Sequence, residues 1–309
     1  MIDSNAFAHQ SLDPEQTILH ELTMNFARIF CLTWTCVIVA TTTRAEDTPA
    51  ADLTLASRQH MALSQQPTGL LIPLYLYPAD IHTNTTYNRL IALKLAHPRV
   101  PICVILDPAD GPGKQLDGNY KQAALRLSGA GCVVLGYVST RYAKQPLSVV
   151  KADIDKWGEF YRSIHGIFLD EQAYDADETH LQYYEEATRY AHSQGYWPVF
   201  ANPGTNQIEP YFQRPTADVI VVHENEFYAD EKSLRGDYFG GHADYPSYRR
   251  ASLVHSMKSL DEKQIQVMAK YTRWIYVTED MYQANTPGAE NPWDSLSVHT
   301  EKLLELLDR

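Results

Sequence analysis

Val219-Ile220-Val221-Val222-His223-Glu224 decides how this chain is read: an unbroken β-branched apolar run that ends in an acid. A strand with one wet face alternates apolar and polar residues. A run this continuous fits a strand buried on both faces, as in a parallel sheet covered by helices. Seven further runs share the pattern: Leu70–Tyr77, Val100–Leu106, Cys132–Val138, Gly166–Leu169, Trp197–Ala201, Ala251–His255 and Trp274–Thr278. Between them lie segments of helical periodicity: Thr85–His97, Tyr120–Ser128, Ser148–Ser163, Glu178–Ser193, Asp261–Tyr271 and Asp294–Leu307. Eight strand–helix units in about 240 residues predict a single-domain (β/α)₈ TIM barrel over residues 67–309 rather than a doubly wound sheet. The loop Phe227–Arg250, rich in Tyr, Gly and His, is expected to act as a lid.

The chain has 309 residues, a formal net charge of −12 and 44% hydrophobic residues. It carries no basic stripe, which argues against nucleic acid or an anionic membrane surface as partner. Residues 1–45 are read as an N-terminal extension and secretory signal. Arg28 supplies the positive region, Phe30–Ala40 the apolar stretch, and Thr43-Arg44-Ala45 a cleavage site before Glu46, with Met24 the natural start. The apolar stretch is too short to span a bilayer, which takes about 20 residues, so no stable membrane insertion is expected. Export to the medium, periplasm or cell surface follows. Residues 46–66 read as a polar linker, and Cys103 and Cys132, in apolar runs, as buried free thiols.

The polar residues that follow the runs carry the chemistry. Tyr77-Pro78, Asp107-Pro108, Tyr137 to Tyr142, Asp170-Glu171, Asn202-Pro203-Gly204, Glu224 and Thr278-Glu279-Asp280 all fall at carboxyl ends of strands, which in a barrel form one mouth. Two acids after the fourth run and one after the sixth suit glycoside hydrolysis. That reaction needs one carboxyl to protonate the leaving oxygen and a second to attack or to activate water. Adjacent strand residues point opposite ways, so only one of Asp170 and Glu171 is expected to face the axis fully. The bland alternative makes Asp170 a turn cap and Glu171 a solvated acid.

Other chemistries are poorly supported. His223, Glu224, His242 and Asp244 are usable metal ligands but lack the spacing of a metal motif. No Gly-x-Ser-x-Gly elbow occurs. Asp110-Gly111-Pro112-Gly113-Lys114 lacks the spacing of a phosphate loop and reads as a rigid turn. No metal and no cofactor are expected. Tyr75, Tyr77, Tyr137, Tyr142, Asn202 and Tyr276 are candidates for sugar contact, although Tyr75 and Tyr276 suit the top core layer equally well.

A family resemblance rests on motifs that occur in a fixed order. Tyr75-Leu76-Tyr77-Pro78, Asp107-Pro108 with Gly111-Pro112-Gly113, Asn119-Tyr120, Gly136 to Tyr142, Gly166 to Glu171, Asn202-Pro203-Gly204-Thr205 and Val221 to Glu224 together resemble the spherulin-4-like family. Members are (β/α)₈-barrel glycoside hydrolases related to endo-α-1,4-galactosaminidases. The resemblance covers about Gly69 to Tyr228 well and the last two units loosely. It implies endo-acting, cofactor-free hydrolysis of α-1,4-linked galactosamine or N-acetylgalactosamine exopolysaccharide, by retention. Asp170 would be the nucleophile, Glu224 the general acid/base and Glu171 an orienting or charge-tuning neighbour, with Asp107 and Asn119 added to the substrate contacts. Asp107 departs from the family, which carries Asn there; an extra charge would favour a cationic sugar. A monomer is expected. The alternative is a secreted barrel that binds glycan or cell-wall material without cleaving it.

Overall fold

The structure is a computed structural model that describes residues 55–80, 82–237, 241–283, 286 and 291–309. The expected extension, signal segment and first part of the linker lie outside these. Eight parallel strands close into one barrel in sequence order. They are β1 Gly69–Pro73, β2 Ile102–Leu106, β3 Val133–Ser139, β4 Gly166–Asp170, β5 Val199–Ala201, β6 Val219–Asn225, β7 Arg250–Val254 and β8 Trp274–Val277. β1 pairs with both β2 and β8, so the ring has no open edge.

The helices among the described residues are α1 Leu55–Gln65, α2 Thr85–Ala96, α3 Gly118–Gly129, α4 Leu147–Phe160, α5 Glu178–Ser193, α6 Pro210–Gln213, α7 Glu231–Arg235, α8 Glu262–Tyr271 and α9 Thr300–Leu307. Short polar side chains start several of them. Asn84, Asp117, Asp177, Asp230 and Asp261 each accept hydrogen bonds from first-turn amides that have no partner inside the helix.

Three segments differ from expectation. The second half of the expected linker is α1, and its Leu63 is buried in the core. The last helix begins at Thr300 rather than Asp294. Ahead of it the backbone amides find other acceptors: Ser297 N donates to the Tyr276 hydroxyl, Val298 N to the Glu279 carboxylate and His299 N to Ser297 Oγ. Local side-chain acceptors of this kind compete with helix formation. The described part of Phe227–Arg250 is no lid. It forms α7, capped by Gly236 at φ 74°, and packs buried His242 against Phe212 of α6. A β-carbon at Gly236 would lie 2.4 Å from the His242 ring, so glycine is needed there for space and conformation alike.

The barrel core is built from the runs themselves, and one contact in it leads to the mouth. Trp157 of α4 is fully buried against Gly136 of β3, where a β-carbon would come within 2.5 Å of the indole. The same indole donates to the Tyr137 carbonyl at 2.9 Å. Gly136→Ala is therefore expected to destabilise the fold by about 1–3 kcal/mol, the usual cost of overpacking. A urea titration checks this; an unchanged midpoint would show that Trp157 can give way.

Candidate active site

β4 ends at Asp170 and β6 runs through Glu224, and both acids line one cavity of about 520 Å³ at the barrel mouth. Glu171, Tyr142, Asn202, Gly204, His255, Tyr282, Asn291, Pro292 and Trp293 complete the wall. Two local irregularities place the acids. The β6–β7 register shifts between Val221 and His223, and a bulge of this kind re-aims the side chains that follow it, Glu224 among them. Glu171 adopts φ 55°. That left-handed step breaks strand alternation, so Glu171 reaches the same cavity as Asp170 instead of turning away.

Asn202, just beyond β5, joins the two principal acids. Its amide nitrogen donates to Asp170 Oδ1 at 2.9 Å and to Glu224 Oε2 at 2.7 Å. The two donors of one NH₂ group thus hold those two oxygens close to each other. The remaining oxygens are also fixed: the Tyr137 hydroxyl donates to Asp170 Oδ2 at 2.8 Å and the Trp293 indole to Glu224 Oε1 at 3.2 Å. Ser139 Oγ donates to Glu171 Oε2 at 2.5 Å.

Burial pushes the Asp170 carboxyl up to about 7, and the nearby Glu224 charge adds to the rise. Burial also raises Glu224, opposed by the Asn202 and Trp293 hydrogen bonds. Like charges this close disfavour double ionisation of the pair. Both groups facing Glu224 are donor-only nitrogens, which leaves its oxygens as acceptors. The Tyr137 hydroxyl beside Asp170 can accept as well as donate.

The turn after β3 is strained. Arg141, Tyr142 and Ala143 take φ values of 50°, 56° and 63° in succession, at about 1–2 kcal/mol for each non-glycine residue in the left-handed region. It is clamped to the acid pair's backbone: Tyr142 N donates to the Glu171 carbonyl at 2.7 Å, and Thr140 Oγ1 lies 2.8 Å from the carbonyls of both Asp170 and Glu171.

Of the residues singled out in the sequence, Asp170, Glu171, Glu224, Asn202 and Tyr142 come together in the cavity. The others stand elsewhere. Tyr137 lies behind Asp170 and holds it, with Tyr75 packed edge-on at 5.7 Å between ring centroids. Asp107 turns to its own loop, accepting from Gly111 N at 2.8 Å, and burial pushes its carboxyl up to about 6. Tyr77, half-exposed, and Asn119 pair with each other outside the cavity at 2.8 Å. Tyr276 is a fully buried core residue that accepts from Ser297 N. Its strand is apolar throughout, so the sequence does not tell which residues face the mouth.

The alternative ligand set is engaged in packing: His223 bonds the Phe227 carbonyl at 2.7 Å and His242 bonds Asn206 at 2.9 Å. Among the described residues no group of three or more His, Cys, Asp or Glu is placed to hold a metal, and no helix is long and apolar enough to cross a membrane. Cys103 and Cys132 are buried and free. Sequence reasoning missed Trp293, His255 and Tyr282. The one available signal was Asn291-Pro292-Trp293, a turn that delivers a large aromatic after the last strand.

Fold and site define a closed (β/α)₈ barrel with a hydrogen-bonded carboxylate pair at its mouth. The chain belongs to the spherulation-specific family 4, whose model matches residues 69–307. It is 34% identical to Spherulin-4 of Physarum polycephalum over 166 residues, 53% of this chain and 47% of that protein. The chain thus spans about half the length of that relative. Its fold is similar to that of Aspergillus clavatus Sph3, solved in complex with GalNAc, with a TM-score of 0.66 and 24% identity over 80% of this chain and 99% of that one. A Ruminococcus gnavus β-glucuronidase, solved with D-glucuronic acid, has a TM-score of 0.50 and 8% identity over 79% of this chain and 49% of that one. At such identities the likeness speaks for the barrel alone, a fold that hosts many reactions.

Proposed function

We propose that this protein is an endo-acting glycoside hydrolase that cleaves α-1,4-linked galactosamine or N-acetylgalactosamine exopolysaccharide with retention, through Asp170 and Glu224. The observation that carries this is the Asn202 amide bridging the two acids. Two acids that share one amide donor form a close pair, which supports retention, where the carboxyls lie about 5–5.5 Å apart, over inversion, at about 6.5–9.5 Å. The sugar rests on membership of the family and on the GalNAc bound to the Sph3 relative.

In this scheme one acid protonates the leaving oxygen while the other attacks the anomeric carbon. The first then deprotonates the water that releases the glycosyl-enzyme. Asp170 as nucleophile and Glu224 as acid/base is the assignment the family resemblance implies. One feature favours the reverse: burial and the Glu224 charge push the Asp170 carboxyl up to about 7, as suits a general acid.

Either assignment needs one proton on the pair. Because Asp170 holds it up to about 7, kcat/KM is expected to fall as pH rises through about 7 and to fall again in acid, once both carboxyls are protonated. Depolymerisation of galactosamine, glucosamine and galactose polymers, read as new reducing ends across this pH range, tests the proposal. Binding of polymer without new ends would establish the non-catalytic barrel. We further propose export directed by residues 24–45; a mature protein that begins at Glu46 is the expected result of N-terminal sequencing.

A further inference from the structure

The strained turn 141–143 follows the last paired residue of β3, and no glycine eases it. Strain of this kind persists where the surroundings over-determine it, and it gathers at ligand clamps. Here the surroundings are the acid pair's own backbone, through Tyr142 N and Thr140 Oγ1. What the turn presents is the Tyr142 ring, which lines the cavity and remains 39% exposed. Tyr174, 54% exposed, meets that ring edge-on, with centroids 6.2 Å apart and planes at 90°. An exposed aromatic pair of this kind is not spent on the core. The Tyr142 ring lines the same cavity as Glu171, and an exposed ring face suits the apolar C–H face of a pyranose.

We propose that Tyr142, braced by Tyr174, is a stacking platform for the sugar unit next to the one whose bond is cleaved, and that the left-handed turn 141–143 serves to hold it there. The proposal rests on the glycoside hydrolase reading and deepens it, since a second subsite beside the acids is what selects a chain over a single sugar.

The test uses α-1,4-linked galactosamine oligosaccharides of increasing length. In Tyr142→Ala, KM for the longer oligomers should rise about tenfold or more while kcat stays within about threefold; Tyr142→Phe should remain close to wild type because the ring is kept. Tyr174→Ala should give a smaller rise in the same direction. Arg141→Gly and Ala143→Gly should raise the melting temperature by relieving the left-handed strain, and should raise KM by freeing the ring. An unchanged KM in Tyr142→Ala overturns the platform while leaving the hydrolase intact. If wild-type protein cleaves nothing, the hydrolase reading fails, and calorimetric titration with the same oligomers judges the platform alone. Binding about tenfold weaker in Tyr142→Ala then supports it; equal binding, or none by the wild type, overturns it.

Discussion

Asp170→Asn and Glu224→Gln are each expected to lower kcat by about 10⁴-fold or more, with the fold intact, and the double variant should be no worse than the weaker single one. Residues that act as a unit in one reaction lose their contribution together, which is why the effects should not add. The neutral isosteres keep the shapes that Asn202, Tyr137 and Trp293 pack against, so the loss reports chemistry rather than collapse.

Stability should move the other way for Asp170→Asn. In the folded chain Asp170 keeps its proton up to about 7, against 3.8 as its ordinary value. The unfolded chain gives the proton up first, so the stability this group contributes is complete in acid and is lost as pH rises from about 4 to about 7. The Asn variant lacks this loss and should melt a few degrees higher than wild type at pH 7. Gain of stability with loss of activity marks an acid kept for function. Small-residue variants with azide settle the roles. For an α-linked substrate, Asp170→Gly should give the β-glycosyl azide if Asp170 is the nucleophile. It should give the α-azide if Asp170 is the acid/base.

Asn202→Ala is the second large effect, an expected loss of about 10²-fold in kcat/KM. One amide nitrogen supplies a hydrogen bond to each acid, and a preorganised donor of this kind is worth about 10²–10³ in rate. Its removal also frees the acids to separate and admits water between them, so the alkaline limb of the pH profile should shift. Loss of rate with an unchanged profile would mean that Asn202 contacts substrate only. A wild-type rate would mean the bridge is idle.

Strand order, the barrel and the principal acids were legible because they depend on composition. Eight apolar runs of parallel-strand type, each followed by polar residues, leave few alternatives, and the acids at the ends of β4 and β6 belong to those runs. Asn202 was legible for the same reason. Orientation within a run was not. An all-apolar strand carries no alternation to say which residues face the mouth, so Tyr137 and Tyr276 looked alike, though one holds Asp170 and the other is core. The left-handed step at Glu171 was invisible because no glycine announces it. Both adjacent acids therefore line the cavity, where strand alternation alone would have turned one of them away. Trp293 and Tyr282 come from the connection after β8, where no periodicity fixes the path, and His255 closes the seventh run without an acid beside it to mark it. Tyr77, Asn119 and Asp107 follow β1 and β2 as expected, but their side chains are taken up by one another and by a loop amide.

Proton NMR of the first product released from an α-1,4-galactosamine oligosaccharide tests most directly whether the two acids that Asn202 bridges act as a retaining pair. The new reducing end should appear first as the α anomer and only later equilibrate with the β form. Initial appearance of the β anomer would contradict the bridged geometry, and the absence of any new reducing end would contradict hydrolysis itself.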